Sequence, residues 1–246
     1  MKCAVIVLVL ASCAAAQEPK KEVAAIAALE PAALVTGGTA TMKIRGFKLK
    51  DATEIRFPKA PGVKAVVKEK KDAGQVNGLD NKVTGDTQIV AEITVPADLP
   101  VGPLEFTIAT PAGDAAAKIP VVAASAAVEE KEPNNGFRET QKLALGQSIV
   151  GAINGERDVD VYEITVKAGQ KIKVAVTGGS GLTMDAALTC YDARGQFLAS
   201  CDDAETRDPV LSLTAPADGP LLFCISDAHD KGGEWHSYLL TVEEAK

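Results

Sequence analysis

The chain has 246 residues, enough for two domains of ordinary size, and its 46% hydrophobic and 24% charged residues are typical of a soluble globular protein. Its formal net charge of −7 argues against a nucleic-acid partner, because neutralising phosphates requires a basic surface. Two histidines are too few for a multi-histidine metal centre.

The N-terminus predicts a secretory signal. A basic residue precedes the apolar run 3–10, which is too short to cross a bilayer. Two processing sites remain open. The alanines at 14–16 form an A-x-A site that would make residues 1–16 the signal peptide. Residues 10–13 resemble a bacterial lipobox, which would end the signal at residue 12 and place a lipid on Cys13. Both predict an extracytoplasmic protein (secreted, periplasmic or at the cell envelope), attached to a membrane only through such an anchor.

Residues 23–124 contain short alternations of apolar and polar side chains between glycines and prolines. These alternations lie at 39–45, 55–57, 63–67, 89–95 and 104–108. Strands with this spacing predict an antiparallel sandwich of immunoglobulin type. The polar, glycine-containing stretch 68–86 predicts a long loop.

Residues 125–133 predict a linker between two domains. Alanines are followed by a charged run, and Pro133 breaks any regular structure before it, although a short helix is the alternative. Alternation then resumes at 162–166, 172–176, 188–190, 197–201, 211–213, 221–225 and 238–242. Residues 134–246 therefore predict a second antiparallel sandwich of jelly-roll or related type, and the fold class is all-β with two sandwiches.

Both halves resemble known families. The sequence VTGGTATMKIRG at 35–46, with Ile55-Arg56-Phe57 and 106–113, resembles the IPT/TIG immunoglobulin-like domain. The second half resembles the bacterial pre-peptidase C-terminal (PPC) domain, from EPNN at 132–135 through DVDVY at 158–162 to GG at 232–233. This pairing is similar to secreted proteins of planctomycete-type bacteria. The resemblance implies a non-catalytic appendage of an exported protein, here without an accompanying peptidase domain.

Strand parity places Asp160 on the same face as the apolar side chains of 162–166. A buried carboxylate needs a partner, and calcium, which takes six to eight oxygen ligands, would supply one. The resemblance extends to collagen-binding PPC domains of clostridial collagenases, and it implies calcium bound by an E-x-E-x-N-[ND] linker and later aspartates. The matching residues are Glu130, Glu132, Asn134, Asn135, Asp158 and Asp160. The alternative is that these side chains accept backbone N–H groups in turns.

Three further groups are weaker candidates. Outside the signal the chain has three cysteines, Cys190, Cys201 and Cys224, which permit at most one disulfide. If one forms, Cys190 with Cys201 is the preferred pair. The favoured interpretation is that all three are buried free thiols. Asp202-Asp203 could bind a cation, but a turn is favoured. A zinc site would require that four loop residues converge: His229, Asp230, Glu234 and His236. The favoured interpretation is that these residues lie in a solvated loop.

Trp235 is the only tryptophan of the chain. If exposed, its ring could stack on a sugar or anchor a protein contact, whereas the favoured alternative is a lid over the open end of the sandwich.

The sequence therefore predicts a non-enzymatic binding or scaffold protein of the cell envelope or exterior. We expect it to recognise a polysaccharide, or an envelope or extracellular protein, through its sandwich surfaces. The alternative is an accessory module of a secreted peptidase acting in trans. A small metal-dependent hydrolase is disfavoured, because no nucleophile motif such as G-x-S-x-G is present.

Overall fold

The computed structural model describes residues 23–76, 80–179 and 184–245. The predicted all-β class is confirmed, with two layered β-structures following one another along the chain. The first half contains β1 (Ala25–Glu30), β2 (Leu34–Val35), β3 (Thr39–Phe47), β4 (Glu54–Arg56), β5 (Lys64–Asp72), α1 (Asn81–Thr84), β6 (Thr87–Thr94), β7 (Gly102–Ala109) and β8 (Ala115–Val122). The second half contains β9 (Ala127–Glu129), β10 (Gln141–Leu143), β11 (Ser148–Ala152), β12 (Asp160–Val166), β13 (Lys171–Gly178), β14 (Ala186–Asp192), β15 (Phe197–Cys201), β16 (Val210–Thr214), β17 (Gly219–Asp227) and β18 (Ser237–Glu244).

The first sandwich consists of two four-stranded sheets, β1-β3-β6-β5 and β2-β8-β7-β4. The alternation predicted at 39–45 places Met42 and Ile44 inside, where they lie opposite Ala91 and Ile89 of β6. Phe106 of the second sheet belongs to the same apolar core. The resemblance of this sandwich to the IPT/TIG domain stays a prediction.

The prediction of one long loop at 68–86 is wrong at both ends of this stretch, where the structure has the end of β5 and the helix α1. β5 continues to Asp72, and its C-terminal half is charged because it is an edge strand whose side chains face solvent. Near the other end of the stretch, the Asp80 carboxylate accepts a hydrogen bond from Lys82 N (2.9 Å) and caps α1. The buried Arg45 guanidinium fastens this region by donating from Nε to Thr84 O (2.8 Å).

The second sandwich consists of two five-stranded sheets, β16-β13-β18-β11-β9 and β10-β12-β17-β14-β15. Its core contains apolar side chains from both sheets, among them Ile164, Val174, Phe223 and Leu240. β9 lies inside the stretch assigned to the linker and pairs in parallel with β11. The chain entering this sandwich is therefore already fixed to it before Pro133.

Trp235 is buried where the two sandwiches meet, with 3% of its surface exposed. Its ring forms a small apolar cluster with Ala28 and Val76 of the first sandwich, and the Arg45 Cζ lies 5.9 Å from the ring centroid. The neighbouring Glu234 forms an ion pair with Lys43 (3.0 Å). The interpretation of Trp235 as an exposed stacking ring is therefore wrong, because the first sandwich covers it.

Residues 1–16 and Cys13 lie outside the described residues, so the signal peptide and the lipid anchor stay predictions. Over the part of the chain that the structure describes, no helix has the length and apolar character needed to cross a bilayer.

Candidate functional site

A buried polar cluster lies where the chain enters the second sandwich. Asp160, the first residue of β12, and Asn134 are both fully buried. Val161 N donates to Asn134 O (2.8 Å), so the entering chain runs directly against β12. This contact brings the acidic and amide side chains of 130–135 to Asp158 and Asp160.

Two tyrosines from opposite sheets supply the partner that the Asp160 carboxylate requires. Tyr162 of β12 and Tyr238 of β18 bring their hydroxyls to 2.6 Å of each other across the interior. The Tyr238 hydroxyl also lies within hydrogen-bond distance of Asp160 Oδ2 (2.5 Å) and of Glu130 Oε1 (3.0 Å). Tyr162 donates to the same Glu130 oxygen (2.9 Å). The four side chains form one buried hydrogen-bond network.

Glu130 is held by the backbone as well as by the tyrosines. Its Oε2 accepts a hydrogen bond from Ala152 N (3.0 Å) at the end of β11. The preceding residue, Gly151, must lack a side chain, because a Cβ there would collide with Glu130 Oε1 and with the Tyr238 ring and hydroxyl. A glycine in β11 thus leaves room for the carboxylate.

Burial favours the neutral forms of this network. It raises the pKa of Asp160 to about 8, and the neighbouring carboxylates of Glu130, Asp158 and Glu132 add to the increase. Burial also raises the pKa of Glu130 and of both tyrosines.

The proton count of the network agrees with these directions. Four short oxygen contacts share two tyrosine protons. A proton on Asp160 completes a chain in which Asp160 donates to Tyr238, Tyr238 to Tyr162, and Tyr162 to Glu130. Without a cation, the network is therefore best satisfied with Asp160 neutral.

The amide of Asn134 is surrounded by oxygens. One end of it lies 2.9 Å from Asp160 Oδ1, 2.9 Å from Glu132 Oε2 and 3.1 Å from Asn135 Oδ1. If the nitrogen points there, its two hydrogens face three acceptors. If the oxygen points there, four oxygens face one another, and either a carboxyl proton or a cation must lie between them. Carboxylate oxygens of Glu132, Asp158 and Asp160 lie within 4.8 Å of one another at this place. This oxygen-only donor set fits a hard cation such as calcium.

The structure therefore brings together five of the six residues predicted to bind calcium. They are Glu132, Asn134, Asn135, Asp158 and Asp160. Glu130 lies beside them but turns its carboxylate to the tyrosines and to Ala152. The turn alternative also has support, since Asp158 accepts from Asn154 N (2.7 Å) and Val159 N (3.0 Å).

Sequence reasoning missed Tyr238 and Asn154 as members of the cluster. Asn154 Nδ2 donates to Glu132 Oε1 (2.9 Å). The signal for Tyr162 was present, because it shares the inward face of β12 with Asp160. Tyr238 gave no such signal, since only the packing of two sheets brings it near.

The other candidate metal residues do not converge within the described part of the chain. His229 Nδ1 lies 3.4 Å from Asp185 Oδ2, Glu234 pairs with Lys43, and the buried His236 ring forms no hydrogen bond. Asp227 organises their loop by accepting from His229 N and Lys231 N (3.0 Å each). Asp202 lies in a bend directly after β15, and its Oδ1 accepts a hydrogen bond from Asp203 N (2.9 Å).

Cys190, Cys201 and Cys224 are free thiols, so the Cys190–Cys201 bridge is not formed. The β14–β15 register pairs Cys190 with Ala199 and Cys201 with Leu188, which places the two cysteines diagonally rather than opposite each other. Burial raises the pKa of the core thiol Cys190 to about 12 and that of the half-buried Cys224 to about 11, which disfavours the reactive thiolate in both.

Residues 158–224 match the family model of the bacterial pre-peptidase C-terminal domain. They run from the acidic cluster through β12 to β17 and so include most of the second sandwich. The second sandwich is a PPC domain.

The chain is also similar to a probable subtilase-type serine protease of Deinococcus radiodurans, at 31% identity over 106 residues. That match covers 42% of this chain but only 15% of the protease. Among solved structures, the PPC domain of the Bacillus anthracis collagenase is 18% identical and covers 46% of this chain and 100% of that one, with a TM-score of 0.36. The Aeromonas hydrophila periplasmic inhibitor of g-type lysozyme, PliG, is 17% identical and covers 42% of this chain and 97% of that one, with a TM-score of 0.33.

Proposed function

We propose that this chain is an exported, non-catalytic binding module whose PPC domain is fixed to the entering chain by calcium. The observation that supports the calcium site is the meeting of three side-chain oxygens, from Asp160, Glu132 and Asn135, at one end of the buried Asn134 amide. Bound calcium would supply positive charge between residues 132–135 and the start of β12. Through the proposed ligands Glu132, Asn134 and Asp160, the ion would then tie the polar chain segment 132–135 to the first residue of β12, at the edge of the sandwich core.

The non-catalytic part of the proposal is supported by how the described histidines are used. Neither imidazole forms a hydrogen bond with a serine, threonine or cysteine within the described residues: His229 pairs with Asp185, and the buried His236 ring has no hydrogen-bond partner. A hydrolytic centre would need such a nucleophile–base pair. Recognition of a polysaccharide or a protein would then fall to the sandwich surfaces.

The similarity to a probable subtilase-type serine protease favours a second candidate, an accessory module acting in trans on a peptidase. Cosedimentation of the purified chain with insoluble polysaccharides and with envelope fractions tests the first proposal, and saturable depletion is the expected result. Co-purification only with a secreted peptidase, together with a change in its folding yield, would instead support the accessory role. Turnover of casein or of a p-nitrophenyl ester by the purified chain would contradict both.

Calcium is expected to raise the thermal midpoint of the wild-type chain, and a chelator should reverse the increase. At a free concentration about 100 times the dissociation constant, mass action adds about 2.7 kcal/mol of stability. Differential scanning calorimetry measures the shift. Asn135→Ala, at an exposed position, should reduce the shift, and Asp160→Ala should abolish it. Asp203→Ala, an exposed acid outside the cluster, is the control and should respond like the wild type. An unchanged shift in Asp160→Ala would contradict the site.

A further inference from the structure

The outer face of the PPC domain carries an exposed aromatic cluster. Phe137 and Phe197 are 47% and 61% exposed, and they flank the half-buried Tyr191. The ring centroids of Phe137 and Tyr191 are 5.1 Å apart, and those of Tyr191 and Phe197 are 6.2 Å apart. Such a contiguous exposed group of aromatics in a soluble protein marks an interaction site.

The cluster is preformed by the local backbone. A register shift in the β14–β15 ladder pairs Phe197 with Tyr191 and Ser200 with Thr189, so all four side chains lie on one face. None of these four side chains is charged. Phe137 packs against the turn between these strands, where Gly195 has a φ of 76° and a Cβ would lie 3.3 Å from the Phe137 ring.

The same cluster lies at an open sheet edge. β15 is the outermost strand of its sheet, and within the described residues it pairs only with β14. Its sequence, FLASC, contains no charged residue and no proline. Natural proteins usually protect edges with such residues or with short strands. Two edge strands of the first sandwich follow this rule, since β5 is rich in lysine and β4 has three residues. β16 is also an uncharged edge strand of the PPC domain, but it has no aromatic side chain.

We infer that β15 is a docking edge for an extended, uncharged polypeptide segment, which adds as a further strand and places side chains against Phe137, Tyr191 and Phe197. Main-chain hydrogen bonds to the edge would provide affinity, and the aromatic face would select apolar side chains at alternate positions. This inference rests on the proposed binding function and specifies its ligand class.

The ring geometry favours a peptide over a polysaccharide. The ring planes are inclined by 59° and 79°, so the three faces do not form one platform on which successive sugars could stack. Side chains of an extended peptide can enter between tilted rings. A peptide also uses the open backbone edge, which stacking of sugars leaves unused.

The test is to pan a displayed library of strand-length peptides against the full chain and to measure binding of the enriched peptides by fluorescence anisotropy. We expect uncharged sequences with aromatic or β-branched residues at alternate positions. Phe197→Ala, and Ser200→Lys as a charge placed on the edge, should each weaken binding roughly tenfold or more. Val101→Ala is the matched control, because Val101 is an equally exposed apolar residue (62%) of the first sandwich.

The outcomes separate this inference from the proposed function. Enriched peptides that bind Phe197→Ala and Ser200→Lys as tightly as the wild type would overturn the β15 site while leaving a binding module. If no peptide is enriched and Phe197→Ala abolishes cosedimentation with a neutral insoluble polysaccharide, the cluster binds a sugar and the inference of a peptide ligand is overturned. Absence of any binding by the wild type would overturn both. Circular dichroism and thermal midpoints confirm that each variant is folded.

Discussion

Replacing Trp235 with alanine is expected to weaken the contact between the two sandwiches. The ring is buried against Ala28 and Val76, so its removal opens a cavity in a cluster that joins the two halves. Truncation of a buried tryptophan typically costs about 3–5 kcal/mol. The Lys43–Glu234 ion pair is only partly buried and contributes little, so the main apolar contact left is that of Ala33 and Val122 with Leu239.

Calorimetry of Trp235→Ala should therefore show two separate transitions, or one broadened transition, at lower temperature than in the wild type. Phe197→Ala is the control, because it truncates an aromatic ring that is 61% exposed, and we expect a change of about 0.5 kcal/mol or less. Small-angle scattering should show an enlarged radius of gyration only for Trp235→Ala. A single transition with a wild-type midpoint would show that the Trp235 ring contributes little to the stability of the interface.

The fold was predictable wherever strands are buried on one face. The alternation at 39–45 predicted β3, because a strand with one buried face repeats every two residues. The same rule fails for the end of β5, since an edge strand exposed on both sides has no apolar period to detect. It also fails for β9, whose three residues are too few to show one.

The candidate site was predictable in part for a related reason. Parity along β12 indicates that Asp160 points inward, and the sequence alone therefore predicts a buried carboxylate that needs a partner. The identity of that partner depends on how two sheets pack. Tyr238 is 78 residues away and lies on the opposite sheet, so no local pattern connects it to Asp160. The burial of Trp235 was unpredictable for the same reason, because the residues that cover its ring, Ala28 and Val76, belong to the other sandwich.

The metal-free protein is expected to lose stability as the pH rises, through Asp160. Its folded-state pKa of about 8 lies above the unfolded value of about 3.9, so the folded state favours the neutral carboxyl. The stabilising contribution is fully present below about pH 3.9 and is lost as the pH rises through about 8. Asp160→Asn keeps a neutral hydrogen-bonding group at every pH and should remove this dependence.

Urea unfolding in the presence of a chelator measures the effect. Between about pH 5 and pH 9, the stability of Asp160→Asn relative to the wild type should increase by on the order of a few kcal/mol. Asp203→Asn, at an exposed acid in the segment after β15, is the control and should parallel the wild type. Parallel curves for wild type and Asp160→Asn would show that Asp160 does not titrate in this range.

The stabilisation by calcium should depend on pH in the opposite direction, increasing as the pH rises. A cation bound to Asp160 Oδ1 requires the ionised carboxylate, so binding releases a proton below about pH 8 and weakens as the pH falls. The calcium-induced increase in midpoint should therefore be larger at about pH 9 than at about pH 5, where Asp160 stays neutral and keeps its hydrogen bond to Tyr238. In Asp160→Asn the calcium effect should be small at both values. A calcium shift that is independent of pH would place the cation away from Asp160, even if calcium stabilises the chain.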